Sequence, residues 1–213
     1  IAKYVENGKL LDSLPDDFYS STGKLLDSLP DDFYSSTAYV DKMISWLKKD
    51  FNNGTNKPFF SYLAFTAVHD PIQVPEADLD LYKGKYNDGY EAVSSKRLAK
   101  MKKLGIVSKD AEKAPLLPRV KPWNKLSPSE KKKETRRMEV FAAMLEVMDR
   151  ETGRLLKFLD DSGKLDNTIV IFMSDNGSSS GNYKVFGFQD DDFDNSIENT
   201  GRVGSFESYN MAW

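Results

Sequence analysis

The sequence predicts an α/β protein, a mostly parallel sheet flanked by helices, and two observations carry that prediction. A helical pattern followed closely by an apolar run of strand length occurs twice, at residues 38–51 then 59–65 and at 127–160 then 168–173. Both runs are continuously apolar rather than alternating, which is the pattern of a strand covered on both faces. With 213 residues, 39% hydrophobic side chains, 13 Phe, 10 Tyr and 3 Trp, the chain is long and apolar enough to bury a sizeable core, which excludes a disordered protein. No apolar stretch approaches the roughly 20 residues needed to cross a bilayer, so no membrane span is expected.

The elements follow in order. Residues 8–22 recur without a change as residues 23–37. A solenoid needs at least three copies, so the duplication is no architecture in itself, and residues 1–37 read as a duplicated, loop-like N-terminal segment. The second copy is expected to be the structural one, because it runs into the next helix. That helix, 38–51, takes Thr37 as N-cap, carries Tyr39, Met43, Trp46 and Leu47 with Val40, Ile44 and Phe51 on one face, and stops at Asn52-Asn53-Gly54. The first strand, 59–65, opens into a polar loop at 66–75. Residues 83–126 hold three of the nine prolines and read as a basic surface excursion, with weak helical periodicity only near Glu91 to Leu104. Ser127, Pro128 and Glu130 then supply an N-cap, a proline at the first helical position and an acid three residues after the cap, which starts a helix firmly. Met138, Phe141, Ala142, Leu145, Met148, Leu155, Leu156 and Leu159 give it an apolar face, and Gly163 ends it. The second strand, 168–173, is cut off by Ser174-Asp175-Asn176-Gly177, and a Gly-, Ser-, Asn- and Asp-rich stretch runs on to Trp213. The domain organisation is therefore 1–37, then 38–213 as one α/β unit.

Net charge is only -3, but it is unevenly spread. Residues 1–82 sum to -6, residues 83–137 carry 17 basic against 6 acidic side chains for +11, and residues 138–159 and 160–213 sum to -1 and -7. The basic middle contains Lys131-Lys132-Lys133 and Arg136-Arg137, and such charge binds polyanions by counterion release. Glu130 and Glu134 partly neutralise it, and no nucleic-acid motif accompanies it, so no nucleic-acid partner is expected. With no cysteine there is no disulfide framework, thiolate metal site or thiol nucleophile within these residues. The chain begins Ile1-Ala2-Lys3, with neither initiator Met nor leader, and is expected to be a piece of a longer protein.

In a parallel sheet, ligands collect at the carboxyl ends of strands, which here are the loops after residues 65 and 173. The first holds His69, the one histidine of the chain; the second holds Asp175 and Asn176. Each has a plain reading, His69 as a hydrogen-bonded structural histidine and Asp175-Asn176-Gly177 as an Asx-type turn. Each also has a chemical one. Two adjacent oxygen donors without His or Cys beside them favour a hard cation such as calcium or magnesium over zinc.

The residues at Phe33 to Thr37, Asp41-Lys42, Lys57 to Pro71, Tyr82 to Tyr86, Arg137 to Met144 and Asp166 to Gly177 resemble, in order, the central part of an arylsulfatase of the alkaline phosphatase superfamily. The stretch from Gly201 to Trp213 is similar to the one preceding the family's late catalytic lysine. The resemblance implies a partial alkaline-phosphatase-like domain and roles for three positions. Asp175 and Asn176 match the Asp-Asn pair that coordinates the active-site calcium. His69 matches the histidine that contacts the sulfate ester and protonates the departing oxygen. Val68 departs from the proline more usual before that histidine and leaves its assignment standing.

The family's nucleophile, a formylglycine made from the first residue of Cys/Ser-x-Pro-Ser-Arg, has no counterpart here; Leu126-Ser127-Pro128-Ser129-Glu130 has Leu and Glu in the decisive places. The early paired Asp, the Lys-x-His and the late Lys of the family are also missing. The expectation is a parent protein that hydrolyses small-molecule or glycan sulfate esters, with this chain inactive alone, and an exported location (periplasmic, extracellular or lysosomal) as for most of the family. A phosphonate or phosphate ester hydrolase of the same superfamily, and a non-catalytic polyanion-binding piece, are the rival readings; Asn176 argues against the dinuclear zinc members.

Overall fold

The structure, a computed structural model, describes residues 4–6, 9–11, 32–54, 57–177, 192–209 and 212–213. Its elements are strands β1 (Tyr4–Glu6) and β2 (Lys9–Leu11) and helices α1 (Ser35–Asn52), α2 (Tyr90–Lys103) and α3 (Pro128–Asp161), with single 3₁₀ turns at Glu76–Asp78, Trp123–Lys125 and Leu165–Asn167. The chain divides into two compact units, one formed by Ile1–Phe65 with Glu151–Thr168 and the other by Thr66–Arg150 with Ile169–Trp213.

β1 and β2 pair antiparallel with Glu6 opposite Lys9, so the stretch expected to be loop-like contains a hairpin. The two residues between the strands in sequence are Asn7-Gly8, the dipeptide most favoured in two-residue hairpin connections. Most of the repeat lies outside the described residues.

α1 begins at Ser35, earlier than the expected Ala38, and Thr37 is no cap. Tertiary contacts override the local capping signal: Ser36 and Ala38 are buried, Ala38 N–H donates to Tyr34 O at 3.0 Å, and Arg154 donates to Thr37 O. Met43, Leu47 and Leu159 form the centre of this unit's core, with Phe51, Phe59, Leu63, Leu155, Phe158 and Leu165 around it. Phe51 stacks on Phe158 at 6.0 Å between ring centroids and meets Phe59 edge-on at 5.4 Å. Trp46, expected in the apolar face, is half-exposed with the Lys42 ammonium over its ring.

The expected parallel sheet is absent among the described residues. Residues 59–65 and 168–173 run without helical or strand pairing, and neither is covered on both faces. Phe59 and Leu63 face the core while Phe60 is 93% exposed, the alternation of a strand with one packed face; Ile169 is 90% exposed. An apolar run becomes a strand only when a neighbouring backbone takes up its N–H and C=O groups, and the described residues offer these two runs no such neighbour.

α3 realises its start signal fully. Ser127 N–H donates to Glu130 Oε2 at 2.6 Å, Glu130 N–H donates back to Ser127 Oγ at 3.3 Å, and Lys121 adds an ion pair. At the other end Gly163 adopts φ 63°, with Gly163 N–H bonded to Asp160 O and Lys164 N–H to Leu159 O, a Schellman closure that a side chain at 163 would strain. Met138, Val140, Ala142, Ala143, Met144 and Val147 are buried along the helix, whereas Leu145, expected in the core, is partly exposed.

The second unit is organised by its C-terminal segment. Ile72 N–H donates to Glu207 O at 2.8 Å, Gln73 Nε2 to Ser205 O at 2.9 Å and Val74 N–H to Gly201 O at 3.0 Å. Gly201 sits at φ 98°, and a Cβ there would come within 2.7 Å of Leu79 and Val140. The buried Glu207 carboxylate accepts from Arg137 Nε at 2.8 Å and pairs with Lys133 at 2.7 Å, while Arg137 also holds buried Glu134 at 2.6 Å. Phe141 and Tyr209 lie 4.1 Å apart. The basic excursion contributes α2, of which only Tyr90 is buried. Tyr90, Trp123 and Trp213 meet edge-on at 5.3 to 5.8 Å, and Trp123 fills the space a Cβ on Gly89 would need.

Two consequences are measurable. Glu207→Gln should lower unfolding stability by about 2–3 kcal/mol, below the roughly 3–5 kcal/mol of a fully buried broken pair because Lys133 is partly exposed and Arg137 keeps Glu134. Urea melts of Glu207→Gln and of exposed Glu198→Gln test this, and equal effects would show that burial of the network is immaterial. The Ser127 N–H holds the Glu130 carboxyl down to about 2 from an ordinary 4.5. Because the folded value is the lower one, the contribution of Glu130 is complete above pH 4.5 and lost as pH falls toward 2. The stability gap between the parent chain and Glu130→Gln should close over that window; a gap independent of pH would contradict it.

Candidate functional site

Thr66 to Pro71 forms a tight bend in which His69 N–H donates to Thr66 O at 3.0 Å. The Ala67–Val68 and Asp70–Pro71 peptide bonds are cis. The His69 ring is exposed, and its Nδ1 lies 3.0 Å from the carbonyl oxygen of Asp70. A carbonyl only accepts, so Nδ1 is the nitrogen that carries the proton in the neutral ring, and Nε2 is left to exchange a proton with a ligand. Immediately downstream, buried Ile72 and Val74 anchor the loop through the C-terminal segment bonded to them. The sequence reading took His69 from its place after a strand. The run before it is extended without a pairing partner among the described residues, so what fixes the loop is the chain after it.

Asp175 and Asn176 sit in the bend that closes residues 168–173, and both are exposed. Ser174 Oγ donates to the Asn176 carbonyl at 2.6 Å, which braces the bend through the backbone. Among the described residues neither side chain is engaged in a hydrogen bond or ion pair, so a carboxylate and an amide oxygen remain available. Their chemistry fits a hard cation, and their number fits part of its shell, since calcium takes six to eight oxygens. Among the described residues no group of three or more Asp, Glu or His is placed to hold a metal ion. His69, Asp175 and Asn176 all belong to the second unit, and no hydrogen bond or ion pair joins the histidine to the pair.

A groove of about 530 Å³ in the same unit is lined by Asp80, Lys83, Lys132, Arg136, Glu139 and Arg202 and does not include the three predicted positions. Most of its ions are already paired. Arg136 reaches Asp80 at 3.0 Å and Glu139 at 3.5 Å, Lys83 reaches Asp80 at 2.7 Å, and Arg202 holds Glu76 at 2.7 Å. The Lys83 ammonium depresses the Asp80 carboxyl, and the Arg202 guanidinium does the same for Glu76. Sequence reasoning missed the Glu207 network. Its partners lie 70 and 74 positions away in the chain, and the available signal was only the concentration of cations near 131–137 facing a C-terminal acid.

Comparison with known proteins then places the chain. Residues 3–205 match the sulfatase family. Over 213 residues the chain is 40% identical to an arylsulfatase of Klebsiella aerogenes, a match that takes in 99% of this chain and 42% of that protein. An uncharacterised sulfatase of Schizosaccharomyces pombe is 38% identical over 181 residues, 82% of this chain and 32% of the relative. An arylsulfatase of Clostridium perfringens is 27% identical over 157 residues, 69% of this chain and 27% of the relative. The chain therefore spans less than half the length of the curated relatives it matches. Both candidate loops fall inside the family match, and the chain belongs to the sulfatase family, with the α/β, alkaline-phosphatase-like class that membership implies.

Proposed function

We propose that the protein to which this chain belongs hydrolyses sulfate esters, and that residues 38–213 are the central part of its catalytic domain. The observation that carries the reading is the sulfatase match over residues 3–205, which includes His69, Asp175 and Asn176. In that setting residues 59–65 and 168–173 are strands of a mostly parallel sheet, paired by neighbours other than those described. The location is exported.

Asp175 and Asn176 would supply a carboxylate and an amide oxygen to a calcium ion, and a divalent ion held there would offset negative charge on the sulfuryl oxygens. His69, its Nδ1 proton tied to the Asp70 carbonyl, presents Nε2 to the ester. In the doubly protonated ring the Nε2 proton passes to the departing alcohol oxygen as the S–O bond breaks and the sulfuryl group is taken up by the nucleophile, which leaves a neutral imidazole. Ser174 braces the bend by donating to the Asn176 carbonyl. The nucleophile of the family pattern, a formylglycine, has no precursor cysteine among these 213 residues, so the chain alone supplies part of a site.

A chromogenic aryl sulfate should accordingly give no turnover with the purified 213-residue chain and ready turnover with the complete protein, where His69→Ala lowers kcat by about 10²–10⁴. Turnover by the short chain, or an unaffected His69→Ala enzyme, overturns the respective part. Hydrolysis of an aryl phosphonate in preference to the sulfate by the complete protein would move the assignment to the phosphonate hydrolases. Two ligands hold calcium weakly, so calorimetry on the short chain should give a Kd no tighter than about 10⁻⁴ M; sub-micromolar binding would show a fuller oxygen shell than Asp175 and Asn176 provide.

A further inference from the structure

The +11 charge of residues 83–137 has no role in the chemistry above, and the structure divides it into two parts. Three cations of α3 are turned to internal use: Lys133 and Arg137 hold Glu207, Arg137 holds Glu134, and Arg136 bridges Asp80 and Glu139. On α2 Arg97 is likewise engaged, donating to the Trp213 carbonyl oxygen at 2.7 Å, but the exposed lysines are not held in a buried network. Lys96, Lys100 and Lys103 recur at four- and three-residue steps, so they form one stripe along the helix, and all three are exposed. Lys96 meets the exposed Asp88 at 2.5 Å, whereas Lys100 and Lys103, with Lys102 and Lys109, have no carboxylate partner among the described residues. Proximity to the helix C-terminus favours Lys100, Lys102 and Lys103 electrostatically, but it does not account for a stripe that runs back to Lys96 and repels itself at each step.

We infer that the exposed Lys96–Lys100–Lys103 face of α2 is a docking surface for a sulfated glycan, a polyanion whose repeated sulfate groups match a row of ammonium groups. Charge complementarity carries the choice of a polyanion. Tyr90, Trp123 and Trp213 beside the helix are packed edge-on against one another, an arrangement that disfavours base stacking by a single-stranded nucleic acid, and the sulfate-ester reading favours a sulfated glycan among the remaining polyanions. The inference rests on the sulfate-ester reading above and narrows it, since a surface that gathers sulfated chains suits a polymeric substrate.

The test compares the 213-residue chain with a Lys96→Gln, Lys100→Gln, Lys103→Gln variant and with a control in which exposed Lys48, Lys49 and Lys57 become Gln, circular dichroism showing equal helix content. Heparin should bind the parent chain with an affinity that falls steeply with salt. The stripe variant should bind at least about tenfold more weakly at low salt, with a shallower salt dependence, while the control stays within about twofold. An equal loss in the control, salt-independent binding, or duplex DNA bound as tightly as heparin overturns the proposal. In the complete protein the stripe variant should keep its rate on a small aryl sulfate and show a severalfold higher KM on a sulfated polymer, and an unchanged KM there also overturns it. Binding is read without turnover, so the docking surface and the sulfatase reading fail separately.

Discussion

Glu207 is held from two directions, and the second unit depends on both. Its carboxylate, buried against α3, answers Lys133 and Arg137, while its backbone carbonyl accepts the N–H of Ile72, three residues after His69. A buried carboxylate without cations is expensive, and two cations that close together without a carboxylate are equally so. The segment from Gly201 to Tyr209 therefore has one low-energy place along α3, and that place also sets where the chain leaves the histidine loop. Gly201 permits the approach because its φ and the nearness of Val140 and Leu79 leave no room for a side chain.

The same economy explains how a strongly basic segment coexists with a folded core. On α3 every third or fourth residue from 133 to 137 finds an acid supplied by another part of the chain, so basic charge works as a fastener. On α2 Lys100 and Lys103 find no carboxylate among the described residues, and the helix is tied down by Tyr90, whose ring is buried and whose hydroxyl donates to the Lys121 carbonyl, and by Arg97, which donates to the Trp213 carbonyl. One segment of sequence thus carries charge of two kinds, one spent inside the molecule and one left facing solvent.

The candidate site shows the complementary situation. His69, Asp175 and Asn176 keep their reactive atoms outward and largely uncommitted, while the backbone around them is braced by Thr66, Asp70 and Ser174. Braced backbone with free side-chain heads is what a binding site requires, since groups already satisfied by the protein have little to offer a ligand.

Much was legible in the sequence where the cause is local. The α3 start could be read from Ser127, Pro128 and Glu130, and its end from Gly163, because capping and left-handed glycine act within a few residues. The candidate residues were legible for a similar reason, as rare donor types in short polar loops after apolar runs. The start of α1 was not, since burial of Ser36 and Ala38 outweighed Thr37. Nor was the exposure of Trp46 and Leu145, which depends on what lies opposite them. Sequence by itself determined that α1 and α3 are helices, how α3 starts and stops, and the chemistry of the donors. Tertiary structure alone decided which apolar runs found backbone partners, which cations were paired, and that a glutamate 138 positions after His69 anchors its loop, because long-range pairing depends on which groups meet across the folded chain and leaves no periodic mark along it.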